Sequence, residues 1–100
     1  MDTIKAPLIR EIEAYTGEAL NGYVFLTNNL EQTRFVLTAV GTVRGKRIVN
    51  TALVVQIIGE KIIIEQDTNS KPLVDALLQI GVPRSQIILA YAGEPVPESA

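Results

Sequence analysis

Residues 44–66, RGKRIVNTALVVQIIGEKIIIEQ, constrain the fold more than any other part of this chain. An apolar run from Ile48 to Ile58 is followed by Gly59-Glu60 and a second run from Lys61 to Gln66. Ile48, Val49, Thr51, Val54, Val55, Ile57, Ile58, Ile62, Ile63 and Ile64 are β-branched. Such side chains lose rotamer freedom in a helix and fit a pleated sheet. Gly at the first position of a two-residue loop suits a type II′ turn, whose twist matches its strands. The pattern predicts a long hairpin on which everything else must pack.

Before the hairpin, Ile4, Leu8, Ile9, Ile12 and Tyr15 recur at helical spacing. Asp2 or Thr3 is the expected cap, Pro7 belongs to the first turn, and Gly17 is the expected stop. Lys5, Arg10, Glu11 and Glu13 fall on the opposite, solvated face. Residues 23–27 and 33–43 are β-prone, with Asn28-Asn29 turning between them and Gly41 marking an expected bulge. Arg44-Gly45 then turns into the hairpin, giving a four-stranded antiparallel meander.

After the hairpin, Asp67, Thr68, Asn69 and Ser70 form a polar break. A second helix is predicted over 71–80, capped by Ser70, with Pro72 in its first turn and Gly81 past its end. Residues 86–91 read as a fifth strand, and a right-handed crossover makes it parallel to the fourth. The fold class is α+β, in one domain over 1–93 with a disordered tail over 94–100.

Hydrophobic residues make up 47% of the chain and aromatic ones only 5%, so an aliphatic core is expected, with apolar surface left over for self-association. The chain has no Cys and no His. Disulfides, thiolate chemistry and the commonest general base are therefore excluded. No leader pattern is visible and no apolar run reaches the roughly 20 residues of a membrane span, so a cytoplasmic protein without membrane contact is expected. Net charge is −2, which argues against a broad nucleic-acid footprint.

Few residues suggest chemistry. Asp67, with Thr68, Asn69 and Ser70, offers oxygen ligands, but a hard cation wants several carboxylates. An Asx turn is the preferred reading. Glu60 and Glu65 lie roughly 16 Å apart along a strand and cannot flank one bond. Gly41 to Gly45 lacks phosphate-loop spacing and no helix follows. Arg44, Lys46 and Arg47 form the densest basic cluster. They are the candidate contact for nucleic acid or for a partner, against the simpler reading of a solvated turn. No catalytic, metal or cofactor residue is assigned.

From Gly41 to Tyr91 the chain resembles the XisI family, the fdxN element excision controlling factors. Members typically carry GW-x-G-K/R-R, a β-rich stretch, G-K-I-W-I-Q, and E-L-V-x-x-G-I-P-x-x-D-I-V-L-G-F. Here Gly41, then Gly45-Lys46-Arg47, then Lys61-Ile62-Ile63-Ile64-Glu65, and finally residues 76–91, ALLQIGVPRSQIILAY, match without a gap. Thr42 and Ile63 stand where members carry Trp, and Val49 and Val54 where they often carry His. Family roles resting on those side chains have no counterpart here. The resemblance implies an antiparallel sheet with two helices. It also implies a non-enzymatic accessory factor for DNA excision by a site-specific recombinase, associated with a XisH-like, nuclease-like partner.

Three functions follow as expectations. The first is a regulatory module that self-associates and contacts a XisH-like protein or recombinase. The second is a nucleic-acid-binding accessory factor using Arg44, Lys46 and Arg47. The third is an enzyme or small-molecule binder built on Asp67 and its loop.

Overall fold

A computed structural model of the chain describes residues 4–98. In chain order the elements are α1 (Lys5–Glu13), β1 (Gly17–Ala19), β2 (Gly22–Asn28), β3 (Arg34–Val43), β4 (Lys46–Ile58), β5 (Lys61–Asp67), α2 (Leu73–Gln79) and β6 (Ile87–Leu89). The strands form one sheet in the order β1-β2-β3-β4-β5-β6. Neighbours are antiparallel except β5 and β6, which are parallel as the crossover through α2 requires.

The predicted hairpin is β4 and β5. Gly59 has φ +61 while Glu60 stays negative, which makes the loop type II′. Arg44 and Gly45 both have positive φ, 53 and 78, as a type I′ loop between β3 and β4 demands.

One face of the sheet carries both helices. Phe35, Leu37, Leu53, Val55, Ile62, Ile64 and Ile87 pack against Leu8, Ile12, Leu73 and Leu77. Fully burying each such side chain is worth roughly 1.5–3 kcal/mol in area removed from water. The opposite face carries Tyr23, Phe25, Val36, Val40, Val49 and Val54, by alternation from the paired register. Ile63, on that face too, is nonetheless fully buried.

The bulges lie elsewhere than expected. Gly41 pairs in register with both Gly22 and Ile48. Its neighbour Gly22 explains the glycine pair. A Cβ on Gly22 would overlap the Val40 carbonyl oxygen and lie 2.8 Å from the Gly41 Cα. Close backbone approach, rather than an inserted residue, calls for glycine here. The register shifts instead at Ala52, extra in β4, and at Glu65, extra in β5. Ala52 and Leu53 are consequently consecutive and both buried. A bulge bends its strand. The half of β4 before Ala52, Lys46 to Thr51, is exposed throughout, and the hairpin of β3 and β4 runs on past the helices.

The helix ends also differ from expectation. Asp2 and Thr3, the expected caps of α1, lie outside the described residues, and α1 begins after Ile4. It stops at Glu13 rather than at Gly17, which opens the short strand β1. The backbone N–H of Thr16 and its hydroxyl both donate to the Glu13 carbonyl, closing that end. The N-cap of α2 is Pro72, not Ser70, because Pro72 keeps an extended ψ of 143. Gly81, φ +96, ends α2 as expected. Its N–H donates to the Leu78 carbonyl and that of Val82 to the Leu77 carbonyl, the paired bonds of a Schellman motif. The fifth predicted strand shortens to β6, with 3-10 turns at Arg84–Gln86 and Ala90–Ala92 on either side. In the predicted tail, the Glu94 backbone N–H donates to the Leu89 carbonyl at 3.2 Å; Ser99 and Ala100 lie outside the described residues.

Candidate partner interface on the long hairpin

The loop between β3 and β4 places Arg44, Lys46 and Arg47 together at the far end of the hairpin, all exposed. Arg47 Nη1 donates to Thr42 Oγ1 at 3.3 Å, across the β3 side. Among the described residues, none of the three cations pairs with a carboxylate. The tip is a small patch of uncompensated positive charge.

Behind the tip the hairpin is apolar. Val43 is 46% exposed, Ile48 39% and Val49 62%. On the outer face Tyr23 and Phe25 are also well exposed, their ring centroids 6.1 Å apart. On the helix side, where α1 has already ended, a cleft of about 500 Å³ opens between Tyr15, Val24, Ala39, Ile48 and Asn50. Its floor is sheet and its rim is the turn after α1. Among the described residues no group of three or more Asp or Glu gathers in one place. The cleft could not be read from sequence, because Gly17–Ala19 carries no strand signal and α1 ends at Glu13 rather than at the expected Gly17.

The Asp67 loop is occupied by backbone donors. Asp67 Oδ1 accepts from the Asn69 N–H at 3.0 Å and from Asn69 Nδ2 at 2.9 Å. Asp67 Oδ2 accepts from the Leu73 N–H at 2.7 Å, at the first turn of α2. This is the Asx turn expected for the loop, extended to cap a helix. Glu65 points to the outer face and accepts from Gln56 Nε2 at 2.8 Å. Glu60 sits at the hairpin loop, and no bond links the two carboxylates. Tyr15 donates its hydroxyl to the Lys71 carbonyl at 2.7 Å, tying the end of α1 to the entry of α2. Burial, then the negative charges of Asp67, Glu11 and Asp75, push its pKa up to about 12.

At the far edge, β6 is closed by side chains. Arg84 Nη1 donates to the Ile87 carbonyl at 2.6 Å, and Glu94 Oε1 accepts from the Leu89 N–H at 2.8 Å. Arg84 and Glu94 pair with each other at 2.7 Å. The Leu89 N–H and the Arg84 guanidinium hold the Glu94 carboxyl below the usual carboxylate range. No local sequence signal announces this lock, because its partners are separated by the strand they flank.

The XisI family model matches residues 2–98. The chain belongs to the XisI family. No curated protein matches it. It is similar to the crystal structure of a XisI-like protein from Anabaena variabilis ATCC 29413, with 23% identity and a TM-score of 0.64 over 86% of this chain and 78% of that one. It is also similar to the crystal structure of the fdxN element excision controlling factor XisI from the same organism, with 25% identity and a TM-score of 0.55 over 88% and 81%. The match thus extends into the N-terminal half, beyond the segment from Gly41 that carries the motifs. Within this XisI-family chain, the positions that depart from the family pattern are spread out. Thr42 and Val49 are exposed on the hairpin, Val54 is half-buried on the outer face and Ile63 is buried.

Proposed function

We propose that this chain is a non-enzymatic accessory factor in site-specific DNA excision, acting through protein–protein contacts. Membership of the XisI family and the likeness to an fdxN element excision controlling factor supply the excision context. The observation that carries the mode of action is the exposed apolar surface around the projecting hairpin, Val43 and Ile48 beside the cleft on the helix side and Tyr23, Phe25 and Val49 on the outer face. Exposed apolar patches of this kind mark interaction sites on small proteins. Commitment of both Asp67 oxygens to N–H donors supports a structural role for the one loop that resembled a chemical site. The partner is a XisH-like protein or the recombinase, and the cytoplasm is the expected compartment.

Light scattering of the purified chain with a XisH-like protein tests this. A stable complex, weakened by Ile48→Asp in the cleft, is the expected result. Two separate species at micromolar concentrations would overturn it. The unpaired cations Arg44, Lys46 and Arg47 favour a second reading, in which the tip contacts nucleic acid directly.

A further inference from the structure

β4 pairs with β3 from Lys46 to Gln56, but β5 meets its other edge only from Leu53 to Ile58. Among the described residues no strand pairs with that edge before Leu53, and beyond β5 the Thr68 N–H covers it at Ala52, which leaves the stretch from Lys46 to Thr51 without a partner strand. The phase of its backbone follows from the loop. Residues flanking a two-residue hairpin loop exchange both backbone bonds, so Val43 and Lys46 bond to each other. Lys46, Ile48 and Asn50 therefore turn their backbone groups toward β3, and Arg47, Val49 and Thr51 turn theirs outward. Gln66 Nε2 donates to the Thr51 carbonyl at 2.7 Å from that outer side, in agreement with this phase.

The other edges are shorter or partly covered. At β6 the Arg84–Glu94 pair caps the outward groups, and β1 covers the first residues of β2. Along β4, the Arg47 guanidinium lies toward Thr42 on the β3 side, so the outer edge is open at Arg47 and Val49 and is reached by another side chain only at Thr51, through Gln66. Val49, at its centre, is 62% exposed. Unpaired backbone flanked by β-branched residues, without Pro, is a template for strand addition.

We propose that this edge pairs antiparallel with the same edge of a second copy, about a two-fold axis at Val49. Val49 then exchanges both backbone bonds with Val49 of the second copy. Arg47 faces Thr51 and Ile48 faces Asn50, and the paired segment ends at Lys46, because Thr68 already holds the Ala52 carbonyl. About six interstrand bonds form, with the Thr51 carbonyl accepting from Arg47 through its second lone pair beside Gln66, and no like charges stand opposite each other. Alternative registers serve less well. Centring on Arg47 opposes two guanidinium groups, centring on Ile48 leaves the Thr51 N–H facing a loop glycine, and centring on Asn50 drives Arg47 into the start of the β5 pairing. The two-fold contact is closed and self-complementary, and it makes one continuous sheet through both copies. It goes beyond the proposed function, since it uses backbone groups rather than the cleft.

Sedimentation equilibrium of the full chain is expected to give twice 10.9 kDa. Val49→Pro removes a donor that β3 does not use, so circular dichroism stays that of the folded chain while the mass falls to that of a monomer. Because the chain has no Cys, Val49→Cys supplies a single reporter. Facing residues of a bonded pair have Cα atoms about 5.5 Å apart, within disulfide reach. Oxidation is expected to link V49C into a covalent dimer and to leave Asn50→Cys, which faces Ile48, unlinked. If V49P does not fold, this contrast decides the matter. A monomeric wild type, a dimer that survives V49P, or N50C linking as readily as V49C would each overturn the edge. A monomer that still binds the XisH-like protein would sink the edge alone, whereas a dimer without that complex would sink only the proposed function.

Discussion

Asp67 spends both carboxylate oxygens on N–H groups that have no other partner, one in its own loop and one at the first turn of α2. Asp67→Ala frees the Leu73 N–H and should cost about 0.5–2 kcal/mol, the range for losing a helix cap. A urea midpoint lowered without a change in slope would confirm it, and an unchanged midpoint would refute it. Sequence located this turn but gave the cap to Ser70. Pro72 has no N–H and keeps the chain extended, so α2 starts later and its first needy donor lies within reach of Asp67 instead. Tyr15 carries a pH dependence of known sign. Its pKa is raised from 10.0 to about 12, so the folded state favours the neutral phenol. The stability this contributes is fully present below pH 10 and is lost as pH rises toward about 12. Urea midpoints of the wild type should fall across that window. Tyr15→Phe should lack that component, while losing about 1 kcal/mol at neutral pH with the bond to the Lys71 carbonyl.

At the level of elements, long segments were legible and inserted residues were not. The β-branched runs announced β4 and β5, and Gly81-Val82-Pro83 announced the end of α2, because each signal is local. The bulges at Ala52 and Glu65 left no trace, since an unbroken apolar run such as residues 52–55, ALVV, hides a lost alternation. The three residues of β1, Gly-Glu-Ala, have little strand propensity and exist only because β2 is there to pair with. Gly41 marks no bulge; it stands where β3 faces Gly22. The two glycines should therefore respond differently to substitution. Gly22→Ala drives a methyl into the Val40 carbonyl and should cost about 1–3 kcal/mol as the strands part. Gly41→Ala meets only the Asn21 carbonyl oxygen at 3.4 Å and should cost clearly less. Equal losses in thermal denaturation would show that the close approach of the two backbones is not what selects glycine.

The whole molecule is elongated, 44 × 27 × 24 Å, with its helices at one end of the sheet and the bare hairpin at the other. Family and motif could be read before the fold, but the cleft and the open β4 edge could not, because both depend on where the bulge turns the strand away from the helices. The distribution of charge decides how the hairpin tip can be used. A net charge of −2 sets a weakly repulsive background for DNA, and three cations at the tip can neutralise only about three phosphates. That corresponds to a salt slope of roughly −3, steep enough that weak retention on duplex DNA at low salt should vanish near ~0.2 M. The variant with Arg44, Lys46 and Arg47 all changed to Ala should lose the low-salt retention and behave like the wild type at ~0.2 M salt in a fluorescence anisotropy titration. Tight wild-type binding at that salt, abolished by the same three substitutions, would instead move the function of the tip from a minor electrostatic contact to direct recognition of nucleic acid.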